Sequence, residues 1–387
     1  MMEKLLKGSS AFRVWIACLL ILVLAGVVAY VCQLIYGLSV TNLSRDVSWG
    51  FYIAQFSFLG GVAASTLILL VPTYFHGFKS FGKLLVCSMF LAVAATVMAM
   101  LFIIVDLGVP QRALNVILHP SPSSLMFWDM VTLNAYLILS FLIGWVSLEC
   151  EKNDLEPPKW LTTLIYALAI AALSTRIVGA FLFSGLPDRH YWLTAILAPR
   201  FLASAFSAGP AILLLMVFIL RRLTGFEPGK QAVQSLALII TYAMGANVLF
   251  FLLEVFTAFY SQVPGHMHAF TYLFSGHDGH GAWINGWMWF GVFAALFSLT
   301  LLIPPGFRKN ETILTFALIL VVIANWIDKG LSFILGGFTP NAFGKVTDYW
   351  PSLTETAVGI GILALGLVIV SCLWKIVLDV KKDAGTW

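Results

Sequence analysis

Apolar segments of about 20 residues or more recur along the whole chain, and they constrain its fold more than any other feature. Only helices or closed barrels satisfy every backbone polar group in lipid, and these segments lack the period-two alternation of barrel strands. Hydrophobic residues make up 60% of the chain and charged residues 10%, which leaves too little polar surface for a soluble domain. The sequence therefore predicts an all-α integral membrane protein.

The apolar segments predict ten transmembrane helices. Their predicted ranges are 11–36, 50–75, 84–107, 126–149, 160–184, 200–222, 232–262, 283–304, 312–336 and 352–376. The first segment is too long for a signal-peptide core and lacks a clear small-residue cleavage site. We therefore expect it to be a retained helix and the chain to be a single membrane domain.

The basic residues support this count. With the N-terminus inside, the predicted inner loops and ends carry fifteen Lys and Arg residues, and the outer loops carry five. The five are Arg45, Arg112, Arg189, Arg200 and Lys345. Because inner loops are enriched in Lys and Arg, both termini are predicted to be cytoplasmic. The net charge is only +4, and the basic residues lie in short loops, so no nucleic-acid partner is expected.

Ionisable residues inside membrane spans are costly and are functional candidates. Six are predicted in the outer half of the bilayer: Asp106, Asp129, Arg176, Glu254, Asp328 and Lys329. For the last four, an internal ion-pair network and a proton route are both open. For Asp106 and Asp129, two roles are open: proton transfer, and helix capping or structural hydrogen bonding.

The second predicted helix combines polar and small residues. Gly60 with Ala64, and Gly61 with Ser65, place small residues four apart, which lets another helix approach closely. Tyr52 and Gln55 lie nearer the outside, where their side chains can hydrogen-bond a quinone oxygen. A polar helix–helix interface is the alternative interpretation.

The seven histidines and five cysteines argue against a resident metal or haem. All the histidines fall in predicted loops or at helix ends, whereas a transmembrane haem needs axial ligands at matching depth. An outer group of His266, His268, His277 and His280 lacks a recognised ligand spacing. No two cysteines form a CxxC pair, so we expect no iron–sulfur cluster and no metal in this chain.

One outer loop carries the most specific pattern. It reads Asp106-Leu-Gly-Val-Pro-Gln-Arg112, followed by His119-Pro-Ser-Pro-Ser-Ser-Leu-Met-Phe-Trp128. This pattern resembles the corresponding loop of the NrfD/PsrC family of quinone-interacting membrane subunits. Ten spans, together with Glu254 and the segment 259–266, resemble the longer branch of that family, which includes HybB and DsrP of sulfur metabolism.

The resemblance implies a fold and a site. The fold would comprise a first four-helix bundle at about 50–184 and a second at about 200–336, flanked by helices 11–36 and 352–376. Menaquinol would bind in the first bundle near the outer face. The implied quinol-binding residues are Tyr52, Gln55, Ser124, Trp128 and Arg112. The implied proton-transfer residues are Asp106, His119 and Asp129. Gln55 stands where polysulfide-reductase relatives place a quinone-binding histidine, and an amide cannot accept a proton near neutral pH.

The resemblance also implies partners and a location. An iron–sulfur subunit would dock on the outer side, with further cytochrome-containing redox subunits, in the inner membrane of a prokaryote. Two other functions stay open: a secondary transporter or proton-translocating protein, and a cofactor-free anchor for redox partners. The apolar segments give no sign of a helix broken at the midplane, which argues against the transporter.

Overall fold

The computed structural model describes residues 9–341 and 343–385 of the chain. Within these ranges the regular structure is helical, with no named strand. Ten helical spans are long and apolar enough to cross a membrane. The predicted all-α membrane architecture and the predicted number of spans are therefore confirmed.

Fifteen α-helices are present in the described ranges. They are α1 Ser10–Tyr36, α2 Phe51–Ala64, α3 Leu67–Phe75, α4 Gly82–Asp106, α5 Asn115–Leu118, α6 Leu125–Lys152, α7 Lys159–Ser184, α8 Leu197–Thr224, α9 Lys230–Tyr260, α10 Pro264–Ser275, α11 Ala282–Leu302, α12 Pro305–Lys309, α13 Glu311–Lys329, α14 Leu331–Gly337 and α15 Leu353–Asp383.

The long helices pack as two closed rings. In the first ring α2 contacts α4, α4 contacts α6, α6 contacts α7, and α7 returns to α2. In the second ring α8, α9, α11 and α13 contact one another in the same cyclic order. Helices α2 and α7 both touch α8, which joins the rings. Helix α15 packs against α4, and α1 packs against α15. We call the helix ends joined by loops 37–50, 107–124, 185–196, 261–281 and 338–352 the outer ends, after their predicted side.

The second span is broken in its interior, which the sequence did not predict. Helix α2 ends fourteen residues into a 25-residue span, and α3 begins after Ser65 and Thr66. The hydroxyl of Ser65 donates to the Val62 carbonyl at 2.6 Å, and the hydroxyl of Tyr136 donates to the Ala63 carbonyl at 2.5 Å. Hydroxyl donors replace backbone partners at a helix break, so the break is tolerated in lipid. Hydropathy does not register it because small and apolar residues continue through it.

Small residues set the closest helix contacts. A Cβ atom added at Gly361 of α15 would lie 2.6 Å from the Cα atom of Gly26 in α1. A Cβ atom added at Gly61 of α2 would lie 3.7 Å from the Cα atom of Ala205 in α8. In lipid, such close backbone approach provides much of the attraction between helices. The glycines therefore fix how α1 meets α15 and how the two rings meet.

We predict that Gly361→Ala lowers the thermal unfolding midpoint of the detergent-solubilised protein, with a loss of about 1–3 kcal/mol typical of overpacking. The new methyl group has no space because the Gly26 backbone already occupies it. Gly245→Ala is the matched control, since a Cβ atom there meets nothing within 4 Å. Equal midpoints for the two variants would contradict the proposed α1–α15 contact.

Candidate functional site

The outer ends of α1, α2 and α4 are joined by buried side chains. The Tyr52 hydroxyl donates to Oε1 of Gln33 at 2.7 Å, and Nε2 of Gln33 donates to the Val105 carbonyl at 2.7 Å. Tyr52 is fully buried and Gln33 is 3% exposed. A tyrosine from the first ring is therefore held by a helix outside that ring.

Gln33 was missed at the sequence level, although a signal for it exists. It shares one face of α1 with Leu19 and Gly26, each seven residues apart, and these three are the buried residues of that helix. An amide in line with the packing face of an apolar helix indicates a buried hydrogen bond. The surrounding apolar run hides that signal.

A second set of hydrogen bonds connects the start of α2 to the start of α15. The Phe51 amide donates to the Tyr349 hydroxyl at 2.9 Å, and that hydroxyl donates to Oε1 of Glu355. Oε2 of Glu355 accepts from the amides of Asn42 at 3.0 Å and Ser352 at 2.8 Å. Glu355 is fully buried. Sequence reasoning missed Glu355 too. In the structure it also completes a capping box with Ser352 at the start of α15.

Asp106 lies at the end of α4, directly after Val105. Its Oδ1 atom is buried and has no hydrogen-bond partner in the described part of the chain. Helix α15, which carries Glu355, packs against α4, which ends at Asp106. Neither carboxyl forms a salt bridge among residues 9–341 and 343–385. We call the set Gln33, Tyr52, Asp106, Tyr349 and Glu355 the outer cluster.

Gln55 points away from the outer cluster. Its Oε1 atom accepts a hydrogen bond from the Trp326 indole at 3.1 Å. Trp326 belongs to α13 of the second ring, so Gln55 lies at the junction of the two rings. Gln55 is 3% exposed. The structure therefore does not bring Gln55 and Tyr52 to one shared ligand surface, and the amide of Gln55 already has a protein partner.

Arg176 occupies the small-residue stripe of α2. Its guanidinium donates to the Ser57 carbonyl at 3.1 Å and lies 4.5 Å from the centroid of the Phe201 ring. Glycines at positions 60 and 61 leave room for it, since added Cβ atoms would lie 3.3 Å and 3.6 Å from guanidinium atoms. The stripe therefore admits both a cation and the neighbouring helix α8.

Asp129 of α6 is a second buried ionisable residue of the first ring. It is 4% exposed and faces Gly179 of α7, where an added Cβ atom would lie 3.8 Å from Oδ1. Arg176 and Asp129 form no salt bridge within 4.0 Å in the described ranges. The interior of the first ring therefore holds one positive group, Arg176, and one negative group, Asp129, that do not form an ion pair.

The predicted loop residues are mostly at the surface. Arg112, His119 and Trp128 are exposed, and Ser124 is half-buried at the residue before α6. The Trp128 indole donates to the Pro122 carbonyl at 2.8 Å and so fixes its own loop. None of these four residues is buried, and Arg112 and His119 lie in the loop that follows Asp106.

The second ring holds a buried four-charge network. Arg200 of α8 donates to both Glu254 of α9 and Asp328 of α13. Lys329 donates to the other oxygen of Asp328 at 2.6 Å. Two positive and two negative groups make the network neutral, and Arg200 and Lys329 are each 1% exposed. The interpretation as an internal ion-pair network agrees with this geometry, but the cation at its centre is Arg200, not Arg176.

Arg200 was counted with the outer-loop charges because it precedes the apolar core of its segment. The structure places it in the fourth position of α8, facing the ring interior. A polar layer lies inward from it: Nδ2 of Asn247 and Oγ of Ser207 both donate to Oδ1 of Asn325, at 3.4 Å and 3.3 Å. Oδ1 of Asn247 has no partner among the described residues.

The outer histidines pair with one another and with Asp348. The His268 and His277 rings stack with centroids 4.7 Å apart, and Nδ1 of His280 lies 2.8 Å from a carboxylate oxygen of Asp348. Burial and the nearby His190 lower the pKa of His266. Within the described residues, no group of three or more His, Cys, Asp or Glu side chains is arranged to hold a metal ion.

Two cavities lie outside the outer cluster. One, of about 80 Å³, opens between α9, α11 and α13 beside Asn247 and Asp328. A shallow one lies between the outer ends of α7 and α8, lined by Phe181 and Ala198. Tyr52 is fully buried among closely packed helices, whereas Asp106 is half-buried.

Ten helical spans, long and apolar enough to cross a membrane, define a polytopic membrane protein. Residues 39–328 match the family model described as polysulphide reductase, NrfD. The match covers most of the chain, and the chain belongs to this family. The resemblance stated from the loop pattern is thereby confirmed, and the ten-span branch with DsrP stays a prediction.

Three relatives span nearly the same length. A protein of Halobacterium salinarum, named as a putative membrane subunit of dimethyl sulfoxide reductase, is 25% identical over 92% of this chain and 89% of its own. The Hdr-like menaquinol oxidoreductase integral membrane subunit of Archaeoglobus fulgidus is 23% identical over 89% of each chain. The menaquinone reductase integral membrane subunit of Nitratidesulfovibrio vulgaris is 22% identical over 95% and 91%.

We predict that Arg200→Gln lowers the free energy of unfolding by about 3–5 kcal/mol, since removal of one partner leaves buried charges uncompensated. The second substitution Glu254→Gln should recover part of this loss because it removes one of those charges. Heat denaturation in detergent measures both. The exposed Arg222→Gln should change stability by less than about 0.5 kcal/mol. If Arg200→Gln is no less stable than Arg222→Gln, the network does not support the second ring.

Proposed function

We propose that this chain is the quinone-interacting membrane subunit of a respiratory complex, and that it oxidises menaquinol at the outer ends of the first ring. The observation that carries the proposal is Asp106, with a buried carboxylate oxygen that has no partner among the described residues, beside the hydrogen-bonded pair Tyr52–Gln33. Family membership and the names of two relatives, which mention menaquinol and menaquinone, support quinone as the substrate.

Quinol oxidation releases two electrons and two protons, and the outer cluster suits the proton half of that reaction. A carboxylate oxygen without a hydrogen-bond donor is free to accept a proton from a quinol hydroxyl. The Tyr52 hydroxyl donates its proton to Gln33, so its oxygen lone pairs are available to a quinol O–H group. Tyr52 and Gln33 would orient the head group, and Asp106 would take its proton.

The other predicted residues receive roles that follow their positions. Arg112, His119, Ser124 and Trp128 border the loop through which the head group would approach, and His119 would exchange protons with outer water. Asp129 and Arg176 would set the electrostatic field inside the first ring. Gln55, held by Trp326, would brace the junction of the rings rather than bind quinol directly.

The electrons would leave through partner subunits. The relatives named above are membrane subunits of redox enzymes, which supports assembly with redox partners. We propose that an iron–sulfur subunit docks on the outer side, that cytochrome-containing subunits complete the complex, and that haem and clusters belong to those partners. The location would be the inner membrane of a prokaryote.

A proton-translocating function is the second candidate, and two observations favour it. The span formed by α2 and α3 is broken in its interior, a feature of transport proteins that bind ions at such breaks. The four-charge network continues inward into the layer of Ser207, Asn247 and Asn325. In this function Arg200, Glu254, Asp328 and Lys329 would carry protons within the second ring.

We predict that Asp106→Asn in the assembled complex lowers quinol oxidation by about 100-fold or more, because the amide cannot accept a proton. Assembly should be unchanged, since Asn preserves the size of the side chain. Asp188→Asn, at an exposed outer-loop carboxylate, is the matched control and should keep full turnover. Binding of a menaquinol analogue to the purified chain, followed by fluorescence quenching, tests the site separately. Full quinol oxidation by the Asp106→Asn complex would falsify the assignment.

A further inference from the structure

Helix α2 begins without a side-chain cap of its own. Its N-cap residue is Gly50, and the first turn of a helix leaves backbone amides without an intrahelical acceptor. In a membrane such amides need another acceptor. The Phe51 amide has one, because it donates to the hydroxyl of Tyr349 at 2.9 Å. A residue 298 positions further along the chain therefore satisfies the first amide of α2.

Tyr349 occupies the place of the missing cap. A Cβ atom added at Gly50 would overlap the hydroxyl and the ring of Tyr349, so the tyrosine oxygen lies where the side chain of an N-cap residue would begin. Helix α15 holds the next residue as well, since a Cβ atom added at Gly359 would overlap the ring of Phe51. Phe51 is therefore fixed through its backbone by Tyr349 and through its ring by α15.

The hydroxyl of Tyr349 is itself fixed by Glu355. It donates to Oε1 of Glu355, while Oε2 of that carboxylate accepts from the backbone amides of Asn42 and Ser352. Tyr349 and Glu355 are both buried. Because a hydroxyl has one hydrogen, its donation to Glu355 leaves the oxygen free to accept from the Phe51 amide. The carboxylate therefore orients the tyrosine as an acceptor for α2.

We propose that Tyr349 is a positioning residue of the quinol site: it caps α2 from outside the first ring and so sets the position of Tyr52. This inference rests on the proposed function, in which Tyr52 orients the quinol head group. Tyr52 directly follows Phe51 in α2, and its hydroxyl donates to Gln33 of α1. The backbone before Tyr52 is thus held by Tyr349 and α15, and its hydroxyl is held by α1.

The role of Tyr349 predicts which kinetic step depends on it. Tyr349 acts on the residue that orients the head group and not on Asp106, the proposed proton acceptor. A substrate-positioning group that shifts out of place weakens the interactions it makes with the bound substrate. Loss of the Tyr349 hydroxyl should therefore weaken quinol binding more than it slows turnover at saturating quinol.

A purely structural role is the alternative, in which Tyr349 stabilises α2 without any effect on quinol. Tyr349→Phe keeps the ring beside Gly50 and removes only the hydroxyl, and its combination with Tyr52→Phe separates the two roles. If Tyr349 acts through the hydroxyl of Tyr52, its loss should have no further effect once that hydroxyl is absent. If Tyr349→Phe does not assemble, Glu355→Gln takes its place, since glutamine still accepts from the Ser352 amide in the capping box.

The experiment uses the assembled complex and measures both quinol turnover and binding of a menaquinol analogue by fluorescence quenching. We expect Tyr349→Phe to lower the affinity for the analogue by about fivefold, the size typical of one lost hydrogen bond, and to change saturated turnover by less than about twofold. In the Tyr52→Phe background the same substitution should change the affinity by less than about twofold. Tyr260→Phe, at an exposed tyrosine of the outer end of α9, is the matched control and should bind like the wild type.

Three outcomes are distinct. Weaker analogue binding in Tyr349→Phe, with no further loss when it is combined with Tyr52→Phe, supports the positioning role. Unchanged binding in Tyr349→Phe, an equal loss in both backgrounds, or wild-type binding by Tyr52→Phe overturns it, and the quinol site stays in place if Asp106→Asn is impaired. If the wild type binds no analogue and Asp106→Asn is fully active, the proposed function itself fails.

Discussion

Hydrocarbon offers no hydrogen-bond partner to a polar group, and this constraint determines which faces of the ten spans meet. Many polar side chains of the spans are turned toward other helices and join elements that are distant in sequence. Gln33 joins α1 to α4, Gln55 joins α2 to α13, and Arg200 joins α8 to α9 and α13. In a membrane, apolar packing alone does not specify a partner helix, because lipid tails are equally apolar. These few hydrogen bonds therefore specify the arrangement.

The buried charges divide into two kinds of site with different electrostatics. The four-charge network of the second ring is neutral, and each carboxylate contacts Arg200, so its charges stabilise one another. The outer cluster has two carboxyls and no cation among the described residues, and Oδ1 of Asp106 has no hydrogen-bond partner there. Compensated charge is suited to holding structure, and uncompensated carboxyls are suited to exchanging protons. Because of this contrast, and not because of the mere presence of ionisable residues, we place the proposed quinol chemistry in the first ring.

Sequence reasoning predicted the fold more completely than the site. Ten apolar runs and the asymmetry of Lys and Arg were enough for the spans, because both signals are local. Asp106 and Tyr52 were identified from the loop pattern and the helix that carries them. Gln33 and Glu355 were not, because their roles depend on α1 and α15 meeting at the far ends of the chain. Arg200 was misplaced in a loop, because a charge at the edge of an apolar run does not reveal which way it faces. The break after Ala64 was missed because hydropathy averages over it.

The pairing of α1 with α15 has a consequence for how the protein is made. Helix α1 enters the membrane early in synthesis and α15 is the last of the described helices to do so, yet Gly26 and Gly361 require the two to lie side by side. The hydrogen bonds of Gln33 with Tyr52 and with the Val105 carbonyl can form as soon as α1, α2 and α4 are inserted. The hydrogen bonds of Glu355 must wait until α15 has been synthesised. Before that point Tyr349 lacks its carboxylate partner and Gly26 of α1 lacks Gly361 to pack against, so the described helices reach their final arrangement only when α15 is in place.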